Sequence, residues 1–439
     1  MSNLIRSCGR STSRFPRFPD FGTPALGKVR KVRLTHKDAS AQEMTVVERV
    51  IRDDIKTTGP ISFARYMKRC LSHPTHGYYM NQEHSVFGKT GDFITSPEIS
   101  QVFGELIGLW VLTRYKDTKI PLRLVELGPG RGTLMADVLR VLSRFFPSST
   151  IDVHLVETSP TMRALQENAL SAYSNTRLRW HNSIFELEPS SSHFTSVVAH
   201  EFFDALPIHL IQKTKQGWND VLIAPREETV EEVPPSENIP ARPKASLTPF
   251  LASEPSPASQ LLGNSSKRFA ELPEGTQIEV SPDSFRTARR IGEILQSGKP
   301  LEKGRSSVGG CGLIVDYGGD KTYNSSFRAF KDHKIVDVFH KPGECDLTAN
   351  VDFAYLREAM ADIVSVSGPI PQRKFLNDMG LKLRVQDLVA KAAEERKKDI
   401  SDAAFRLIDP LGMGSQYQVL AVNGSLHEGE EAPFPFTLL

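Results

Sequence analysis

Cysteine is scarce in this chain. Its 439 residues include four, Cys8, Cys70, Cys311 and Cys345, widely spaced and without a C-x-x-C pair. That spacing argues against a disulfide framework and a structural zinc site, and fits thiols kept reduced. No metal is expected. Long apolar runs are missing too: none approaches the ~20 residues needed to cross a bilayer. A soluble protein without stable membrane insertion is therefore expected. Nor does one sign of charge dominate. Against 54 lysines and arginines stand 52 aspartates and glutamates, a formal net charge of +2. Such a balance leaves no global basic field for a nucleic acid backbone, and none is expected as a partner. With 39% hydrophobic residues, the chain can bury a sizeable core without covalent staples.

The start of the chain lacks acids altogether. Arg6, Arg10, Arg14 and Arg17 alternate with Ser2, Ser7, Ser11 and Ser13, and no carboxylate precedes Asp20. An arginine- and serine-rich, acid-poor start resembles a mitochondrial transit peptide. A disordered basic tail has the same composition. Residues 1–38 are set aside on either reading.

From 41 to 120 the spacing is helical. Met44, Val47, Ile51 and Ile55 recur at one face, and Gly59-Pro60 breaks the run. Ser62 can cap a second helix carrying Phe63, Tyr66 and Met67. A polar loop, Gly91-Asp92-Phe93-Ile94-Thr95-Ser96, leads into a helix opening at Pro97-Glu98, where proline and a carboxylate suit the first turn. From 121 to 425 short apolar runs alternate with amphipathic stretches: strands at Leu122–Leu127, Ile151–Val156, Leu178–His181, Ser196–His200 and Gly312–Val315, with helices at Thr133–Phe145 and Thr161–Ala172. That alternation predicts an α/β fold, a parallel sheet with helices on both faces. His209–Lys213 and Val221–Ala224 read as a β-hairpin. Residues 226–275, rich in proline and serine, read as a disordered surface insertion. The C-terminal third predicts helices at Asp352–Ser365, Pro371–Met379, Leu381–Lys398 and Ser401–Arg406, then a strand at Tyr417–Val422.

The strongest motif is Glu126-Leu127-Gly128-Pro129-Gly130-Arg131-Gly132-Thr133. It sits where a buried strand turns into a helix. Glycines let the backbone bend sharply and let a ligand approach without Cβ interference. A dinucleotide fold wants G-x-G-x-x-G. Here the third glycine comes one residue early, and Thr133 holds the place a dinucleotide site reserves for it. The form E-x-G-x-G-x-G is the one methyltransferases use to hold the methionine part of S-adenosylmethionine. An ordinary tight turn is the competing reading. Glu157, closing the second strand, is placed to accept both ribose hydroxyls, though a solvated loop carboxylate would look the same. Asn182 and Ser183, closing the third, would border the adenine; both are also good helix caps. The fourth strand ends in His200-Glu201-Phe202-Phe203-Asp204-Ala205-Leu206-Pro207. Glu201 and Asp204 are candidates to hold or deprotonate an incoming nitrogen, and Phe202 and Phe203 to make a dry wall. Helix caps and core phenylalanines are the plain alternative.

These motifs occur in a telling order. Gly91–Ser100, Glu126–Leu134, Val156–Pro160, His200–Pro207, Ile314–Tyr317, Phe327–His333, Asp346–Phe353 and Asp409–Tyr417 together resemble the MidA-like methyltransferases over about residues 45 to 425. The resemblance implies a class I methyltransferase sheet with an N-terminal helical extension and substrate-side insertions. It implies S-adenosylmethionine as cofactor, with Gly91, Asp92, Phe93, Ser96 and Pro97 folding over it and Glu126, Gly128, Gly130, Gly132, Glu157, Asn182, Ser183 and His200 around it. Glu201, Asp204 and the Asp346–Phe353 segment would face the substrate. The activity implied is symmetric dimethylation of a protein arginine, on a core subunit of the peripheral arm of respiratory complex I, in the mitochondrial matrix, in support of complex assembly. A homodimer is compatible with it. Two other readings compete: a non-catalytic assembly chaperone that merely binds the cofactor, and a small-molecule methyltransferase, which an open pocket free of acids would favour. The pattern departs at Gly319, where the family carries histidine, and in the length of the proline-rich insertion.

Overall fold

The computed structural model describes residues 44–81, 95–115, 120–146, 150–226, 247–424 and 432–437. Seven strands build its central sheet: β1 (Leu122–Leu127), β2 (Ile151–Val156), β3 (Thr176–His181), β4 (Phe194–His200), β5 (Gly310–Gly319), β6 (Ser365–Pro371) and β7 (Tyr417–Asn423). Their order across the sheet is β6-β7-β5-β4-β1-β2-β3, and the short strand Val351–Asp352 adds to the end of β5. Strand β1 is parallel to β2 and β4, β4 to β5 and β2 to β3, whereas β7 runs against both β5 and β6. Strands β1 and β2 are buried along their whole length, as a parallel sheet covered on both faces requires. The five strands read from sequence all exist, β5 being longer than expected. Strand β6 was not anticipated: the predicted helix Asp352–Ser365 stops at Met360, and the chain turns into the sheet edge at Ser365.

Seven of the helices among the described residues frame the sheet and its site: α1 (Val46–Thr58), α2 (Phe63–Ser72), α3 (Gln101–Tyr115), α4 (Thr133–Phe145), α5 (Pro160–Leu170), α6 (Pro282–Leu295) and α7 (Phe353–Met360). One face of the sheet packs Phe103, Leu106 and Trp110 of α3 against Val138, Leu139 and Leu142 of α4. The other packs Ile291, Ile294 and Leu295 of α6 against Phe353, Leu356 and Met360 of α7. Ser62 caps α2 through its hydroxyl, as its position implied. The expected single helix from Pro97 to Trp110 is two: Ser96–Ile99 forms one turn, Ser100 takes an extended conformation, and α3 starts afresh. Likewise the predicted helix Leu381–Lys398 breaks at Ala392. A second helix, Glu394–Ile408, then absorbs the separate one expected at Ser401–Arg406.

Two insertions grow from the carboxyl ends of the sheet strands. After β4 comes the predicted hairpin, His209–Thr214 with Gly217–Pro225, in an antiparallel sheet with Gln277–Val280, Leu247–Leu251 and the N-terminal pair Ile61–Ser62. After β5 comes a three-stranded sheet of Arg328–Lys331, Lys334–Val336 and Asp346–Thr348. The disorder expected over 226–275 is corrected from residue 247 onward; residues 227–246 lie outside those described. Pro249 sits in the terminal strand of its sheet, where no ladder N–H is missed. Pro257 opens the helix Pro257–Gly263, capped by Ser256, and Leu262 and Phe269 are buried with Trp218. The prolines there punctuate structure rather than prevent it.

Candidate active site

Where β1 turns into α4, Gly128, Gly130 and Gly132 all take positive φ, at 62°, 49° and 84°. A Cβ on Gly128 would lie 2.9 Å from the Phe202 ring, so the bend and the phenylalanine after β4 fit only with glycine there. The loop opens into a cavity of about 480 Å³ at the carboxyl ends of β1, β2, β3 and β4. Ligands of open α/β sheets lie at this end.

Most of the residues singled out from sequence line this one cavity: Pro97, Glu126, Gly128, Gly130, Glu157, Asn182, Ser183, His200, Glu201 and Asp204. Gly132 does not. Its added Cβ would lie 3.3 Å from Gln166 Cα, so this glycine lets α5 pack close to the loop instead of facing a ligand. Ser96 is buried beneath the lining, and its N–H donates to the Glu201 carboxylate. Gly91, Asp92 and Phe93 lie outside the described residues.

Each acid has its own surroundings. Glu126 is buried at the end of β1, with Oε2 lacking a hydrogen-bond partner, and burial pushes its pKa up to about 8. Glu157 accepts from the N–H of Ser159 (2.7 Å) and from Gln166 Nε2 (3.3 Å); burial raises its pKa and those donors pull it back. Gln166 also donates to Gly130 O (2.7 Å) and accepts from Trp180 Nε1 (2.8 Å). One buried amide thus ties the glycine loop of β1 to the acid of β2. Asn182 Oδ1 accepts from Arg163, and the Ser183 hydroxyl caps the short turn Ile184–Glu186 while facing the cavity.

The turn after β4 is the most constrained backbone in the site. Glu201, not a glycine, sits at φ 47°. Its N–H donates to Val315 O, and Asp316 Oδ2 accepts from the consecutive N–H groups of Phe202, Phe203 and Asp204 at 3.2, 3.0 and 3.3 Å. Glu201 and Asp204 therefore project from one turn into one cavity. Burial, with Asp204 adding, pushes Glu201 up to about 8. Burial also raises Asp204, against hydrogen bonds from Tyr317 and Thr348. A tyrosine hydroxyl meets each of three acids: Tyr417 on Glu201, Tyr317 on Asp204 and Tyr79 on Asp346 (2.8 Å). The second oxygens, Glu201 Oε1 and Asp204 Oδ1, are buried with no hydrogen-bond partner. His200, packed on Phe103 and Tyr417, points Nε2 to within 3.4 Å of Glu201 Oε1, and burial lowers its pKa to about 3. It is a neutral imidazole.

The lining suits S-adenosylmethionine on three grounds. Glu126 offers an orphaned carboxyl to an ammonium group, the glycine bend has no room for a side chain at 128, and Glu157 retains acceptor capacity for a diol. A model of S-adenosyl-L-methionine-dependent methyltransferases matches residues 106–370. The chain belongs to this methyltransferase family. Named relatives agree: the mitochondrial protein arginine methyltransferase NDUFAF7 of Danio rerio is 38% identical over 84% of each chain. That of Mus musculus is 34% identical over 98% of this chain and 95% of its own, and that of Homo sapiens 35% identical over 84% and 81%. A crystal structure from Burkholderia thailandensis with S-adenosyl-homocysteine bound aligns at a TM-score of 0.66 and 22% identity, covering 86% of this chain and 91% of that one. It shows the same fold. The methyltransferase is thus a mitochondrial member of its family with S-adenosylmethionine as cofactor, consistent with the acid-poor start of the chain.

Sequence reasoning passed over several residues of the site. Asp316 and Tyr317 stood in the Ile314–Tyr317 motif and Tyr417 at the end of Asp409–Tyr417 without a role, Thr348 was named only as part of the Asp346–Phe353 segment, and Tyr79 was not singled out. Gln166 left a readable signal, a polar residue inside the stripe Met162, Gln166, Leu170 at helical spacing. The cavity is not free of acids, which removes the condition that favoured a small-molecule acceptor.

Proposed function

We propose that this methyltransferase acts on a protein arginine, on a core subunit of the peripheral arm of respiratory complex I in the mitochondrial matrix, and forms symmetric dimethylarginine that assembly of the complex requires. The observation that carries the reading is the pair of unpartnered carboxylate oxygens, Glu201 Oε1 and Asp204 Oδ1, buried in the cavity that the glycine loop opens into. A guanidinium is planar, permanently charged and many-handed, and two carboxylates can grip it at once. The names of the relatives support the same acceptor.

Glu126 would hold the amino group of the cofactor, Glu157 its ribose hydroxyls, and the Gly128–Gly130 backbone its close approach. When bound, S-adenosylmethionine supplies an electrophilic methyl group. The chain's residues do the remainder. Glu201 and Asp204 orient the acceptor nitrogen, and Phe202, which lines the cavity, excludes water beside it, whereas Phe203 is packed in the core. A nitrogen that gains a methyl must lose a proton. Glu201 can take it once ionised: its pKa is raised to about 8 in the ligand-free protein, and a guanidinium beside it favours the ionised form. The test incubates the purified protein with peripheral-arm core subunits and S-adenosylmethionine and maps dimethylarginine by mass spectrometry. Glu201→Gln should still bind S-adenosyl-homocysteine and lose transfer by about 10²-fold or more. Undiminished methylation by that variant, or unaltered arginine dimethylation in mitochondria lacking the gene, would refute the proposal.

A further inference from the structure

The charges lining the cavity bear on the cofactor as well as the acceptor. Glu98, Glu126, Glu157, Glu201, Asp204, Asp283 and Asp346 contribute carboxyls to it; the lining arginines are Arg131 and Arg286, and Arg286 is already paired with Asp283. Around Glu201 and Asp204 the neighbours are acids and hydroxyls from every side. Asp316 and Tyr317 come from β5, Tyr417 from β7, Asp346 and Thr348 from the second insertion, and Tyr79 from the chain after α2. His200 is neutral. Among the described residues, Arg328 is a cation within influence of Asp204, and it lies over the Tyr317 ring at 5.0 Å. Among the described residues no lysine or arginine forms an ion pair with Glu201 or Asp204. A buried carboxyl without a counter-charge either keeps its proton or waits for a cation to arrive with a ligand.

S-adenosylmethionine brings such a cation, its sulfonium. S-adenosyl-homocysteine, the product of every transfer, has the same skeleton with a neutral thioether. We infer that Glu201 and Asp204 read the charge on the cofactor's sulfur: the pair binds the sulfonium form in preference to the spent thioether, and gives up a proton when the sulfonium form binds. The proton balance is simple. A carboxyl O–H ionises, the proton passes to the buffer, the carboxylate stays beside the sulfonium, and no other bond changes. Product would then leave more readily than fresh cofactor, because methyl transfer itself removes the charge that held it. The inference rests on the family's cofactor and is independent of which acceptor is methylated. With Glu201 raised to about 8, the sign follows. Below that pH the free protein holds a proton that the sulfonium complex lacks, so affinity for S-adenosylmethionine rises with pH up to about 8 and then levels. Affinity for S-adenosyl-homocysteine lacks that component.

Calorimetry on the full chain at pH 7 tests this, with S-adenosylmethionine, sinefungin (an amine cation at the same place) and S-adenosyl-homocysteine, each in phosphate and in Tris. Any proton that Glu126 loses to the amino group common to all three ligands cancels in the comparison. Both cations should bind at least about tenfold tighter than the thioether and release more protons. Glu201→Gln should collapse that ratio while leaving the S-adenosyl-homocysteine affinity within about twofold. Equal affinities and equal proton counts in the unmodified protein would overturn the inference, as would a variant that weakens all three ligands alike. Should Glu201→Gln fail to fold, the unmodified protein decides alone. An enzyme that methylates arginine yet binds all three equally would sink this inference and spare the acceptor; strong preference for the cations without arginine transfer would do the reverse.

Discussion

Replacing Glu126 by glutamine should stabilise the ligand-free protein and impair cofactor binding at once. Glu126 is 3% exposed, Oε2 has no partner, and burial alone pushes its pKa from 4.5 to about 8. An acid whose pKa is raised on folding costs no stability below the unfolded value; the cost grows as pH rises from 4.5 to 8 and is constant beyond. At pH 7.5 the gap is about 3 units, or about 4 kcal/mol at 1.36 kcal/mol per unit. Glutamine keeps the shape without the charge. Its amide N–H groups need acceptors, which returns about 1–3 kcal/mol. A net gain of about 2 kcal/mol remains, worth about 2 °C in melting temperature for a chain of this size. Conversely, an ammonium held by a neutral amide instead of a carboxylate loses about 1.5–3 kcal/mol, roughly 10- to 100-fold in affinity. Thermal unfolding from pH 5.5 to 8, with and without S-adenosylmethionine, reads both effects. The unmodified protein should lose stability across that range and be rescued by cofactor. Glu126→Gln should have a flatter profile and little rescue. If the variant melts lower at pH 7.5, or if cofactor protects it fully, Glu126 is neither a buried penalty nor a cofactor ligand.

Three further outcomes follow from the geometry. Gly128→Ala places a Cβ in the left-handed region, 2.9 Å from the Phe202 ring; about 1–2 kcal/mol of stability should go, with at least tenfold of cofactor affinity (about 1.4 kcal/mol). A variant titrating like the parent would show that the bend has slack. Gln166→Leu cuts the tie between Gly130 and Glu157 and should raise the Kd for S-adenosylmethionine about tenfold, with kcat at saturation unchanged; a fall in kcat alone would contradict a positioning role. Gly263→Ala sets a Cβ 2.1 Å from Trp218, so it should lower the melting temperature by several degrees and open residues 247–275 to limited proteolysis. Were that segment disordered, the substitution would be silent.

The fold was legible because its signals are local and redundant. β1 and β2 read as strands from unbroken apolar runs, α4 from periodicity and the glycine bend before it, and their alternation fixed the parallel order. What escaped depended on distant partners. Ser365–Pro371 has no strand pattern of its own and becomes β6 by lying against β7. Proline content over 226–275 pointed to disorder because composition cannot tell a proline at a sheet edge or helix start from one in a random chain, and Pro249 and Pro257 are of the former kind. In the site, the acids were visible since carboxylates at strand ends are few. Their tyrosine partners were not. Tyr79 and Asp346 lie 267 residues apart in sequence, and no periodicity joins them. Gly132 differs from its neighbours in a way the motif cannot show: the motif counts glycines, but only φ and the neighbouring atoms separate one that borders the cavity from one that lets a helix pack close.

The turn after β4 links these observations. A glutamate at φ 47° is strained by about 1–3 kcal/mol and persists only where the surroundings over-determine it. Here they do. Asp316 grips three successive N–H groups, Val315 takes the N–H of Glu201, and Tyr417 and Ser96 hold its carboxylate. The strain has a geometric consequence. Glu201 and Asp204 are three residues apart, and in an extended strand they would point to opposite faces of the sheet. Only a reversal at Glu201 turns both acids into one cavity. The buried Asp316 costs stability through its own desolvation and returns it as rigidity at the one turn that must not relax. Two carboxylates in a preset position bear on an incoming cation without waiting for the chain to move, which is how a fixed field lowers a charge-transfer barrier. The same rigidity accounts for glycine at 128: with Phe202 held by Asp316, the cofactor loop yields to the phenylalanine, and a side chain there has nowhere to go.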